Sequence, residues 1–133
     1  MRAGLLVRLV TAAMSAVCAL AGDAGAQSMT PMRGEITSFT DSFAVRVFPR
    51  NPYRHRIRVA VRVYDEKFRP VEARVWPSDI TLGAGESRPV TVVVGFGGAR
   101  ERRVRICTES IPFPNKQTRI RAQVCGRFLA RRF

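Results

Sequence analysis

The stretch RIRVAVRVY, Arg56 to Tyr64, alternates without a break. Ile57, Val59, Val61 and Val63 fall on one side, and Arg56, Arg58, Ala60, Arg62 and Tyr64 on the other. A period of two is the repeat of an extended strand, since a helix would scatter the valines around its axis. It also asks for one dry and one wet face, the condition of an antiparallel sheet packed on one side. The pattern returns in FAVRVF (Phe43, Val45, Val47), VEARVW (Val71, Ala73, Val75), PVTVVVGF (Val90, Val92, Val94, Phe96) and RRVRI (Val104, Ile106). It appears last in RIRAQVCGRFLA (Ile120, Ala122, Val124, Phe128, Ala130). Turn residues separate the runs: Asn51-Pro52, Asp65-Glu66, Gly83-Ala84-Gly85, Gly97-Gly98 and Pro112 to Pro114. No segment after Ala26 carries a helical period, and there are no internal repeats. About seven short strands in roughly 100 residues predict an all-β fold, an immunoglobulin-like β-sandwich. An OB-type barrel is the competing architecture, and it would need a different strand count and a helix.

The N-terminus is of another kind. Arg2 and Arg8 precede the apolar run Leu9 to Gly22, and Ala24 and Ala26 form an A-x-A site. This is the layout of a secretory signal peptide over residues 1–26, cleaved after Ala26, with an apolar core too short to span a bilayer. Cys18 would leave with it, because Ser15 and Val17 do not suit lipoprotein processing. The mature chain is then one domain, residues 27–133, periplasmic or secreted, with no later run long enough to be a transmembrane segment. Losing Arg2, Arg8 and Asp23 lowers the net charge only from +13 to +12. Such an excess favours anionic partners.

Cys107 and Cys125 remain. An even number of cysteines in an exported domain reads as a disulfide. A single histidine, His55, and no C-x-x-C spacing argue against a metal. Direct pairing of the two cysteines in an antiparallel ladder puts the hairpin's midpoint at Lys116, inside the turn-rich PFPNKQ. The same register sets Val104 opposite Phe128 on the inner face. Both cysteines then lie on the polar, outward side of their strands, and opposed side chains there are close enough to bridge.

Beyond this pattern, MTPMRGEI, FAVRVFPRNP, WPSDITLGAGESRPVTVVV and VRICTESIPF resemble segments of the N-terminal immunoglobulin-like domain of PapD-type periplasmic pilus chaperones. The resemblance covers nearly the whole mature chain. The sequence ends at Phe133, where that family continues into a second domain, so the expectation is a standalone first domain. A subgroup of the family also links its last two strands by a disulfide. The resemblance implies strand addition to a protein client, a pilus subunit, by alternating residues of the last strand, here Ile120, Ala122, Val124 and Phe128. It further implies that basic residues hold the client's terminal carboxylate: Arg33 on the first strand, and either Arg121 or Arg127 on the last.

In an immunoglobulin-like sandwich the third, sixth and seventh strands share a sheet. Their outward residues include Arg56, Arg58, Arg62, Arg103 and Arg105, with Arg121 and Arg127. An alternative function follows, the binding of anionic cell-envelope polymers through this arginine face. Nucleic acid is not an expected partner of an exported domain. Neither catalysis nor a cofactor is expected. His55 stands alone between Arg54 and Arg56, Ser87 and Ser110 lack a recognisable base, and the glycine pairs open no helix.

Overall fold

The computed structural model describes residues 28–114, 117 and 120–133. Among them are nine strands and no helix. They are β1 (Ser28–Thr30), β2 (Arg33–Ser38), β3 (Ser42–Arg50), β4 (Ile57–Tyr64), β5 (Arg74–Trp76), β6 (Asp79–Leu82), β7 (Val90–Gly95), β8 (Glu101–Ser110) and β9 (Ala122–Arg132). One sheet has the order β1-β3-β7-β5 and the other β2-β9-β8-β4-β6. The fold is the expected sandwich.

The alternating runs do the work assigned to them. Phe43, Val45 and Val47 of β3 and Val90, Val92 and Val94 of β7 are buried from one sheet. Ile57, Val59, Val61 and Val63 of β4, Val104 and Ile106 of β8, and Phe128 and Ala130 of β9 meet them from the other. Burying side chains of this kind contributes about 1.5–3 kcal/mol each, which is why the period of two decides the fold.

Two strands exceed the expected seven. The N-terminal strand divides at Pro31, which lacks an N–H for either ladder. β1 pairs antiparallel with β3 in one sheet, and β2 runs parallel to β9 in the other. Pro70 and Pro77 confine the VEARVW strand to Arg74–Trp76, although Val71, Ala73 and Val75 still pack on the core. β6 lines the edge of β4 in a short pairing, Ile57↔Leu82 to Ala60↔Asp79, too brief to announce itself by period.

The β8–β9 ladder places Cys107 opposite Cys125 and Val104 opposite Phe128, the register expected from the sequence. A disulfide joins Cys107 to Cys125, with Cα atoms 4.0 Å apart. That is the narrow, non-hydrogen-bonded type of antiparallel pair. One correction concerns exposure: Cys107 is 0% exposed. It lies on a central strand, aligned with Arg62 of β4 on one side and Cys125 of β9 on the other. The hairpin's expected midpoint, Lys116, and the expected signal segment 1–26 lie outside the described residues.

Candidate functional site at the last strand

β8 holds β9 along its length, but on the other side β2 reaches only Arg127 to Arg132. The Arg127 N–H donates to the Met32 carbonyl at 2.9 Å, and the Phe133 N–H to the Ser38 carbonyl at 2.9 Å. Odd-numbered residues of β9 therefore turn their main chain toward β2. By the same alternation Gln123 and Cys125 turn N–H and C=O toward the edge beyond it. Among the described residues no strand pairs with that edge. An unpaired edge is a template for another extended chain.

The apolar row of β9 changes along this edge. Phe128 is 3% exposed and fills the domain's own core. Gly126 is buried, Ala122 and Val124 are half-buried, and Ile120, just ahead of β9, is 58% exposed. The expected client-facing residues thus divide: Ile120, Ala122 and Val124 lie at the open edge, and Phe128 is already occupied. Gly126 marks the change. A Cβ there would stand 2.8 Å from the Phe128 ring and 3.0 Å from the Met32 carbonyl oxygen. Only glycine lets the corner between β1 and β2 press so closely on β9.

The outer face of the five-stranded sheet carries the charge. Register aligns Arg33 of β2 with Arg127 of β9, Arg127 with Arg105 of β8, and Arg105 with Tyr64 of β4. Three arginines stand side by side across three strands and line a groove of about 510 Å³. Among the described residues neither Arg33 nor Arg127 has a carboxylate within ion-pair distance. The adjacent arginines are neutralised: Arg103 meets Glu101 at 3.4 Å and Glu66 at 3.7 Å, and Arg131 meets Glu101 at 3.5 Å and Glu35 at 3.7 Å. Of the two expected anchors on the last strand, Arg127 is the one brought beside Arg33; Arg121 is exposed at the far end of the open edge. Arg58 and Arg62 face outward on β4 as expected, and Arg56 lies just before that strand.

Sequence reasoning missed Phe68. Its ring lies 4.6 Å beneath the Arg105 guanidinium, a cation–π contact. Phe68 has a left-handed backbone, φ 58°, which costs a non-glycine residue about 1–2 kcal/mol. Asp65 holds the turn, accepting the N–H of Lys67 at 2.8 Å and of Arg69 at 2.9 Å, while its carbonyl accepts the Phe68 N–H at 3.1 Å. A phenylalanine between a lysine and an arginine in a charged turn carries no periodic signal. Next to the disulfide, the Tyr64 hydroxyl donates to Glu109, and Gln123 Nε2 donates to the same Oε1 at 2.9 Å. The bond to Glu109 and partial burial hold the phenol above its ordinary 10.0, so it stays a neutral donor. Among the described residues no group of His, Cys, Asp and Glu is arranged to hold a metal ion, and no helix is long and apolar enough to cross a membrane.

Two sheets sharing a divided first strand, with a half-open last strand, make up an immunoglobulin-like β-sandwich of PapD-like fold. Comparison with solved structures finds that fold. The E. coli chaperone DraB superposes with a TM-score of 0.66 at 18% identity, over 81% of this chain and 56% of that one. The Salmonella enterica chaperone SafB, solved with the pilin SafA, gives 0.67 at 19% identity, over 84% and 57%. PapD-like domain 7 of human CEP192 gives 0.55 at 10% identity, over 80% of this chain and 84% of that one. The chain therefore spans little more than half the length of these chaperones. At such identities the likeness is one of fold. No family model and no curated protein matches the sequence.

Proposed function

We propose that this domain is a non-enzymatic, exported binding module that holds a protein client by strand addition at the open edge of β9. Arg33 and Arg127 take the client's terminal carboxylate. One observation carries this reading: the unpaired main chain of Gln123 and Cys125 leads directly to the Arg33–Arg127 pair. A strand added along that edge ends where β2 begins, beside two guanidinium groups that have no carboxylate within ion-pair distance among the described residues. Coulomb attraction there favours a carboxyl terminus and disfavours an amino terminus. The client strand thus runs parallel to β9, in the direction β2 itself takes. Backbone pairing supplies affinity, and the alternating Ile120, Ala122 and Val124 supply selectivity.

The chaperone neighbours support binding over catalysis. Structures of SafB with the pilin SafA and of CsuC with the tip subunit CsuE point to a pilus subunit as the class of client. The signal-like N-terminus, the disulfide and the periplasmic chaperone SfaE among the neighbours support a periplasmic location. Binding of an anionic envelope polymer is the reading to be excluded, and the ion pairs of Arg103 and Arg131 already weaken the face it would use.

Replacing Ile120 and Val124 together by Thr, with folding verified by circular dichroism, is expected to cut capture of a periplasmic client at least tenfold. Unchanged capture defeats strand addition. Retention that falls log-linearly with salt, and is indifferent to Ile120 and Val124, points instead to a polyanion.

A further inference from the structure

We propose that the client's end is doubly acidic, with an Asp or Glu as its last residue, and that Arg105 is the residue that reads this second carboxylate. The inference rests on the strand-addition reading and adds to it a determinant of specificity.

Charge balance within one face of the sheet is the starting point. Arg103 and Arg131 are each met by two of the domain's own carboxylates. The row Arg33–Arg127–Arg105, directly alongside, has none among the described residues, although like charges directly opposed across strands repel. One terminal carboxylate between Arg33 and Arg127 leaves a third cation, Arg105, one strand spacing of about 4.8 Å beyond Arg127 and so about 7 Å from that carboxylate. An acidic side chain of the last residue, turned to this outer face, covers part of that distance and the extended Arg105 side chain covers the rest.

Arg105 is also built differently from the other two. Its guanidinium is seated on Phe68, which fixes its plane, and Phe68 is fixed in turn by the Asp65 turn. Its Nε is buried and out of a ligand's reach, and its Nη2 has only a long 3.5 Å contact with the Glu66 carbonyl, so the Nη groups are the donors left to meet an anion. A cation held in place with its donors unspent is preorganised for an anion. The bidentate geometry of a guanidinium suits a carboxylate.

The test uses synthetic peptides of alternating apolar residues that differ only at the end: a free C-terminal Asp, a free C-terminal Asn, and an amidated Asn. Binding to the full domain is read by isothermal titration. The Asp-ended peptide is expected to bind about tenfold more tightly than the Asn-ended one, which is about 1.4 kcal/mol. Arg105→Gln is expected to erase that ratio and leave the Asn-ended peptide unaffected; Phe68→Leu, which keeps the arginine but alters its seat, is expected to reduce it. Equal binding of the Asp and Asn peptides overturns the role of Arg105 and leaves strand addition standing, as does equal weakening of both by Arg105→Gln. If the amidated peptide binds as well as the free acid, the carboxylate anchor falls. If none of the peptides binds, strand addition and this inference fall together.

Discussion

Asp65 shows how a single carboxylate organises ground well beyond its own position. Its oxygens accept two backbone N–H groups and the Arg69 guanidinium, at 2.8 to 2.9 Å. The Arg69 N–H, the largest influence, outweighs desolvation and holds the carboxyl below its ordinary 3.8. Glu86 does the same for the Gly83 turn: the Gly83 N–H at 2.7 Å and the Arg88 guanidinium at 2.9 Å keep it below 4.5. A carboxyl depressed in the folded state stabilises it fully above the unfolded value. That contribution is lost as the pH falls through the lower folded value. Urea midpoints of the native domain and of Asp65→Asn are therefore expected to differ at pH 6 and to draw together only as the pH falls below 3.8 and through the depressed folded value. A difference that persists undiminished at pH 2 would assign the effect of Asp65 to something other than its charge.

At the scale of the element, the β8–β9 hairpin is the part of the molecule with the most duties. It contributes Val104, Ile106, Phe128 and Ala130 to the core, offers an open edge, and aligns Arg105 with Arg127. Its two strands are joined through residues 111–121, so their register needs a fixed point. The Cys107–Cys125 bridge is that point. It lies between the ladder pairs Arg105↔Arg127 and Glu109↔Gln123, the second tied to Tyr64. Replacing both cysteines by Ala is expected to lower unfolding free energy by about 3 kcal/mol, measured by denaturant titration. A loss under about 1 kcal/mol would mean that the ladder and the core hold the register unaided. Much of this hairpin was legible beforehand. Alternation gave the strands, and the cysteine spacing gave a register that also pairs Arg105 with Arg127. The burial of Cys107 was not legible, because it depends on β4, a strand far away in sequence that pairs beside it.

For the molecule as a whole, the joining of the two sheets depends on a few residues that periodicity does not single out. Asn51 is 0% exposed at the end of β3, in the four-stranded sheet. Its Nδ2 donates to the carbonyls of His55 at 2.8 Å, Leu82 at 3.0 Å and Gly83 at 3.0 Å, which flank β4 and β6 of the other sheet. Its Oδ1 accepts the Tyr53 N–H at 2.9 Å. Asn51→Ala would strip partners from several buried or part-buried backbone groups, and a loss of about 2–4 kcal/mol in unfolding free energy is expected. Asn51→Asp, which keeps the acceptor but loses the donor, is expected to be no better. Wild-type stability in either variant would show that these backbone groups find other partners.

The sequence by itself determined that the chain is all-β, which side of each long strand faces the core, and how the last two strands are registered. These follow from a period of two and from the geometry of opposed cysteines, and both are local rules. The tertiary structure alone decided where β9 is left unpaired among the described residues, because that depends on how far β2 reaches along it after the chain changes sheets at Pro31. It alone decided which arginines act together. Arg33, Arg105 and Arg127 are far apart in sequence and become neighbours only when three strands lie side by side, and the carboxylates that neutralise Arg103 and Arg131 stop one row short of them.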